Sequence, residues 1–157
     1  MLSQATAYAA SALACIAAMG GNPVLVKVIA EACEMPAAYL AKIIHQLGRR
    51  KLVLTQRGVG GGVSLARRPQ EISLLEVCVA LEDPAIQPRC MLGNVPCHDD
   101  RDCPAHDFCS THRANLMEFL RKTTIADIAA FETRRRWKAS QSIEKVPVAP
   151  EGEPTQI

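Results

Sequence analysis

The apolar positions of the first fifty residues recur at helical spacing and predict three helices. The first covers about Ser3–Met19, the second covers roughly Val26–Cys33, and the third begins after Pro36 and ends near Arg49. The apolar stripe of the third helix consists of Leu40, Ile43, Ile44 and Leu47. Because only three residues separate the second helix from the third, the pattern is typical of a helix-turn-helix.

Two short strands follow, over Leu52–Gln56 and Val63–Leu65, and the segment that joins them, Arg57–Gly62, is rich in glycine. This pattern predicts a β-hairpin. A nucleotide-binding loop would need a Lys followed by Ser or Thr and then a helix, whereas this chain continues into a strand. The tip is therefore interpreted as the tight turn of a wing, because glycine readily adopts positive φ and lets the backbone approach a phosphate. A capping-box sequence, Ser73–Glu76, then begins a fourth helix that ends near Leu81.

Residues 82–102 show no hydrophobic periodicity, and a loop of this length is uncommon unless it is functional or disordered. Helical spacing returns from Pro104 to about Lys122, with Phe108, Leu116, Phe119 and Leu120 at its apolar positions. A short last helix is predicted over Ile125–Phe131. Residues 132–157 are rich in Pro, Glu, Ser and Gln and predict a disordered tail.

These elements predict a mainly α fold with a small β-hairpin wing. We divide the chain into a winged helix-turn-helix domain over residues 1–81, a cysteine-rich loop over 82–103, a long helix with a short final helix over 104–131, and the tail over 132–157.

Charge is divided unequally between these segments. Residues 1–72 carry eight basic and three acidic side chains, a net charge of +5, whereas residues 73–131 carry five basic and nine acidic ones, a net charge of −4. The N-terminal half therefore suits an anionic partner. A helix fits the major groove of DNA, so the polar side of the third helix can reach bases and phosphates, and Arg57 on the wing can enter the minor groove. The alternative is that these residues form an ordinary solvated helix face.

Cysteine spacing indicates a second candidate site. Cys90, Cys97, Cys103 and His106 form the pattern C-x6-C-x5-C-x2-H, and three thiolates in so short a loop can converge on one metal centre. Both zinc and iron–sulfur clusters accept Cys together with His. Unliganded loop thiols are the alternative. The remaining cysteines are interpreted as buried core residues at Cys15, Cys33 and Cys78, with Cys109 undecided between core residue, spare ligand and redox thiol.

Composition excludes several other classes of protein. The seven cysteines are odd in number, which disfavours a fully paired extracellular disulfide framework. No Lys or Arg precedes Lys27, so the apolar N-terminus lacks the charged region of a signal peptide, and we expect a cytoplasmic protein. Aromatic residues make up only 4 %, which argues against a base-stacking platform. No catalytic constellation is present, so we predict no enzyme; a zinc-stabilised module and a thiol-redox protein stay as alternatives.

The chain resembles the winged-helix iron–sulfur regulators of the Rrf2 family, which include IscR, NsrR and RirA. The resemblance covers about residues 1–131. It is carried by Ala7–Ala9, Pro36–Leu40 with Leu47 and Arg49, Leu52-Val53, Arg57–Val63, Ser73–Val77, the cysteine loop and Thr124–Asp127.

The resemblance implies a cytoplasmic homodimer, paired through the helix from Pro104 to Lys122, that binds double-stranded DNA at a pseudo-palindromic operator. It implies no membrane and no small-molecule substrate. The DNA-binding residues predicted from the pattern and the resemblance together are Ala38, Tyr39, Lys42, His45, Gln46, Arg49, Arg57, Gly58, Gly60 and Gly61.

The resemblance also implies a cluster on Cys90, Cys97 and Cys103 whose presence, redox state or nitrosylation changes DNA affinity, as in a repressor that senses iron, iron–sulfur or nitric oxide status. A [2Fe–2S] cluster is favoured, with [4Fe–4S] as the alternative. His106 matches the fourth ligand of IscR, whereas Ala7 occupies the place of the NsrR carboxylate and cannot ligate. Gln4, Cys109 and an external ligand stay open. The six residues between the first two cysteines leave the subfamily open, because IscR-like and NsrR-like loops usually have five and RirA-like loops tend to be longer.

Overall fold

The computed structural model describes residues 1–93 and 103–143, with side chains described as far as Arg134. It confirms a mostly helical fold with one antiparallel hairpin. The elements are α1 (Gln4–Ala18), α2 (Val26–Ala32), α3 (Ala37–Arg49), β1 (Val53–Gln56), β2 (Gly62–Leu65), α4 (Leu74–Ala80), α5 (His106–Lys122) and α6 (Ile125–Ile143), with 3₁₀ turns at Pro69–Glu71 and Pro84–Ile86.

Helix α1 runs through the hydrophobic core. Ser3 caps its N-terminus, since the Ser3 hydroxyl accepts the Thr6 N–H at 3.3 Å. Leu13 and Ile16 are fully buried and belong to the same core cluster as the stripe of α3, which was predicted from spacing alone. The helix-turn-helix is therefore held by side chains that the sequence pattern had placed on inward faces.

The hairpin is attached to the start of α2. Strands β1 and β2 pair from Val53↔Leu65 to Gln56↔Gly62. Val24 and Val63 exchange two backbone hydrogen bonds, of 2.9 Å from the Val24 N–H and 2.8 Å from the Val63 N–H. The hairpin consequently cannot swing freely relative to the helix-turn-helix.

A second backbone connection joins the C-terminal helices to the winged domain. The predicted capping box at Ser73 and Glu76 is confirmed, and beside it the Leu74 N–H donates to the Thr123 carbonyl at 2.8 Å. The Ile125 N–H donates to the Ile72 carbonyl at 2.9 Å. Helix α6 then packs along α1.

Two features of the C-terminal part, the end of the last helix and the start of α5, differ from the sequence prediction. The last helix continues to Ile143 instead of ending at Phe131, because residues 132–143 contain strong helix formers and no Gly or Pro. The tail prediction is therefore wrong for residues 132–143, while 144–157 lie outside the described residues. Helix α5 begins at His106, two residues after Pro104. Phe108 and Phe119 are 64 % and 56 % exposed, so they are not core positions of this chain.

Across residues 1–93 and 103–143, no helix combines the length and apolar character needed to cross a membrane.

Candidate DNA-binding surface and cysteine site

Helix α3 presents its polar side to solvent. Lys42, His45, Gln46 and Arg49 are all exposed, as are Ala38 and Tyr39 in the first turn. Tyr39 packs edge to face against Tyr8 of α1, with ring centroids 5.9 Å apart and an interplanar angle of 76°. The Tyr8–Tyr39 pair thus joins the exposed helix directly to the core helix.

The cations of this surface lie outside the ion pairs found among the described side chains. Within the part of the chain whose side chains are described, Lys42, Arg49 and Arg57 form no ion pair; the pairs found there are Lys27–Glu31, Arg67–Glu76 and Lys122–Glu118. Unpaired exposed cations are the groups that can neutralise DNA phosphates.

The wing has the glycine geometry that the sequence predicted. Gly58 and Gly60 adopt φ of 96° and 74°, and the Gly61 N–H closes the tip by donating to the Gly58 carbonyl at 3.0 Å. A Cβ at Gly61 would lie 2.4 Å from the Gln56 carbonyl oxygen, so no larger residue fits there. Arg57 is exposed at the base of this tip.

The structure places the candidate metal ligands at two ends of the cysteine loop. Cys90 is half-buried beyond the 3₁₀ turn at Pro84–Ile86, and Cys103 is half-buried just before α5. The His106 backbone N–H donates to the Cys103 carbonyl at 3.0 Å, so these two residues share one turn. Cys97 lies outside the described residues. Within the described parts, no three Cys, His, Asp or Glu side chains converge as a metal site.

The described cysteines differ in environment. No disulfide joins the six of them. Cys15 and Cys78 are buried, as predicted, and burial together with the charge of Asp83 raises the pKa of the Cys78 thiol to about 11. Cys33 is only half-buried and packs at the edge of the core, where its thiol donates to the Ser11 carbonyl at 3.7 Å. Cys109 is half-buried on α5.

Asp83, which no sequence pattern had indicated, is fully buried three residues beyond the end of α4. Its Oδ2 accepts the Ser3 N–H at 2.9 Å and the Ser3 hydroxyl at 2.7 Å, and its Oδ1 accepts the Ala85 N–H at 2.8 Å. Burial alone would raise the pKa of Asp83, but hydrogen bonds from Thr6, Ala85 and Ser3 outweigh it and hold that pKa below its usual range. Asp-Pro signals a local turn, but no pattern signals a partner eighty residues away.

Known proteins share this architecture. The model of the Rrf2 family, described as iron-dependent transcriptional regulators, matches residues 2–130. The HTH-type transcriptional regulator IscR of Sodalis glossinidius is 29 % identical over 126 residues, which are 80 % of this chain and 76 % of that protein.

Two solved structures show the same fold. CymR, the global cysteine regulator of B. subtilis, matches with a TM-score of 0.71 at 24 % identity, over 83 % of this chain and 97 % of that one. T. potens IscR matches with a TM-score of 0.65 at 23 % identity, over 94 % of this chain and 93 % of that one. These likenesses confirm the winged helix-turn-helix. Since the family match spans most of the sequence, the chain belongs to the Rrf2 family of transcriptional regulators.

Proposed function

We propose that this regulator is a homodimer whose affinity for its operator depends on an iron–sulfur cluster held by Cys90, Cys97, Cys103 and His106. The observation that carries the proposal is the single turn shared by Cys103 and His106 at the start of α5, in a chain that also exposes an unpaired cationic α3 and wing.

Each protomer reads DNA with two elements. Lys42, His45, Gln46 and Arg49 of α3 enter the major groove, while Arg57 and the glycines of the wing approach the neighbouring minor groove. Ala38 and Tyr39 approach the backbone at the first turn of α3, where packing against Tyr8 fixes the Tyr39 ring. Because a two-fold dimer presents this surface twice, its operator is pseudo-palindromic.

Dimerisation through α5 accounts for its exposed aromatic residues. Phe108 and Phe119 are more than half exposed on this helix, and apolar rings of this size are usually covered by a partner. A second copy of α5 supplies that cover. Dimerisation also brings the two Cys103–His106 turns of the assembly beside the paired helices, because each turn lies at the start of α5.

The donor set fits an iron–sulfur cluster in its chemistry. Cys90 and Cys103 are partly accessible and lie outside any disulfide, and the imidazole of His106 follows within one turn of Cys103. Thiolates with an imidazole ligand are established cluster donors. When bound, the cluster supplies a centre that responds to iron, oxidants and nitric oxide. The chain contributes the ligands and a segment that runs directly from Cys90 back to α4.

Anaerobic purification tests the proposal. We expect a brown protein with visible absorption and equal iron and sulfide contents. Cys90→Ser and Cys103→Ser should abolish the absorption and the bound iron and sulfide, whereas the matched variant Cys33→Ser should leave them unchanged. Operator binding, measured by fluorescence anisotropy, should then differ between cluster-loaded and cluster-free protein. A colourless protein after anaerobic reconstitution would reject the cluster, and stoichiometric zinc in that protein would favour the zinc-stabilised alternative.

A further inference from the structure

The segment between α4 and Cys90 is held at its near end by the first helix of the chain. Asp83 is fully buried there and accepts three hydrogen bonds of 2.7 to 2.9 Å, two of them from Ser3. Thr6, also fully buried, bonds to the same carboxylate. Ser3 is the N-cap of α1. The N-terminus of α1 and the start of the segment between α4 and Cys90, which we call the cysteine segment, therefore share one polar cluster.

The same segment is held in its middle by α5. The guanidinium group of Arg113 donates to the Gln87 carbonyl at 2.9 Å and to the Ile86 carbonyl at 3.0 Å. Two donors of one planar group on successive carbonyls fix both the position and the direction of the backbone. Cys90 lies three residues after Gln87, so these contacts fix the backbone from which the chain continues to Cys90.

Helix α1 continues this connection to the recognition helix. Two residues after Thr6, Tyr8 packs against Tyr39 in the first turn of α3 at a centroid distance of 5.9 Å. Contacts therefore run without a gap from the cysteine segment through Asp83 and α1 to the DNA-binding surface.

We propose that Asp83 and Arg113 are positioning residues that couple the state of the cysteine site to the placement of α3. This inference rests on the proposed function, and it names the residues through which regulation acts. The carboxylate at this cap comes from the segment that leads to Cys90. The physical requirement for coupling is an element biased by both sites. Helix α1 contacts Asp83, in the segment that leads to Cys90, through its N-cap Ser3, and it contacts Tyr39 of α3 through Tyr8.

The test compares operator affinities of the loaded and cluster-free full-length protein, with a duplex that wild-type protein has enriched from a random pool. Asp83→Asn and Arg113→Gln should keep normal iron content. In each variant, the ratio of the weaker to the tighter dissociation constant should be smaller than in the wild-type protein by about 2- to 30-fold. Asp127→Asn is the matched control, because Asp127 caps α6 by accepting the Thr124 N–H at 2.8 Å and its hydroxyl at 2.7 Å, away from the cysteine segment. That variant should leave the ratio unchanged.

A second readout needs no cluster. Because coupling between two sites is reciprocal, adding the duplex to cluster-free wild-type protein should change the rate at which Cys90 is alkylated. In Arg113→Gln, adding the duplex should leave this rate unchanged. Arg121→Gln, on the same helix, is the control. If the loaded and cluster-free wild-type proteins bind the duplex equally well, the proposed function is rejected. The alkylation of Cys90 then still decides whether the two sites are coupled. If folded Arg113→Gln keeps both the wild-type ratio and the wild-type change in Cys90 alkylation, the coupling itself is overturned, whether or not Asp83→Asn folds.

Discussion

Replacing Gly62 with alanine is the sharpest test of how the wing is attached. Gly62 begins β2 directly against the backbone of Val24, and a Cβ there would lie 2.7 Å from the Val24 carbonyl carbon and oxygen and 2.8 Å from its nitrogen. Backbone atoms cannot rotate away as a side chain can. The variant must therefore push the hairpin and the start of α2 apart.

The cost follows from what this separation breaks. Val24 and Val63 are both buried and exchange two hydrogen bonds of 2.9 and 2.8 Å. Overpacking a close contact costs about 1–3 kcal/mol, and each lost hydrogen bond costs about 0.5–1.5 kcal/mol. Breaking the bonds relieves part of the strain, so the two costs do not add in full. We therefore expect Gly62→Ala to lower the free energy of unfolding by roughly 2–4 kcal/mol.

Urea titration monitored by circular dichroism measures this loss, and two other glycines calibrate it. Gly60 has φ of 74° and nothing within 4 Å of an added Cβ, so Gly60→Ala should cost only the left-handed backbone penalty of about 1–2 kcal/mol. Gly48 lies in α3 with open space, and Gly48→Ala should stabilise the protein by up to about 1 kcal/mol. The reasoning is refuted if Gly62→Ala is no more destabilising than Gly60→Ala.

Three further predictions concern charge and ligands. Arg57→Glu should weaken operator binding and lower the slope of log affinity against log salt by about 1 for the lost phosphate contact; an unchanged slope would remove Arg57 from the interface. The pKa of Asp83 is lowered in the folded chain, so the stabilisation from its carboxylate is present above the pKa of the unfolded chain and is lost as pH falls through the pKa of the folded chain. Between pH 5 and pH 3, the free energy of unfolding should therefore fall less for Asp83→Asn than for the wild-type protein. An equal fall in both proteins would contradict this. Cys109→Ser should keep its iron, whereas loss of iron would make Cys109 the fourth ligand.

Local signals predicted most of the winged domain. The stripe of α3, the capping box at Ser73 and the positive φ of Gly58 and Gly60 each depend on residues within a few positions of one another, so periodicity and turn chemistry were sufficient. The same logic predicted the exposed side of α3, because a helix with one apolar stripe must turn its remaining residues to solvent.

Long-range contacts were beyond such reasoning. Asp83 is one of nine acidic residues in 73–131, and only folding brings it to Ser3. Phe108 and Phe119 sit at helical spacing, yet spacing cannot say whether the apolar side of a helix faces its own core or a second copy. For the metal site, spacing predicted the donor types and the structure brings Cys103 and His106 into one turn, while the ligand role of all four residues stays a prediction.

The composition of α1 limits how a signal passing through it can act. Ala9, Ala12, Leu13 and Ile16 are fully buried, and the helix packs against α2, α3, α4, α6 and β2. Small side chains allow these close approaches, and an interior packed at crystal density transmits a displacement instead of absorbing it. A shift at Asp83 would therefore move α1 as a rigid unit against Tyr39. Regulation of this kind changes the placement of the two recognition helices in a dimer and leaves the helicity of α3 intact, so operator affinity should change without a change in the far-ultraviolet circular dichroism spectrum.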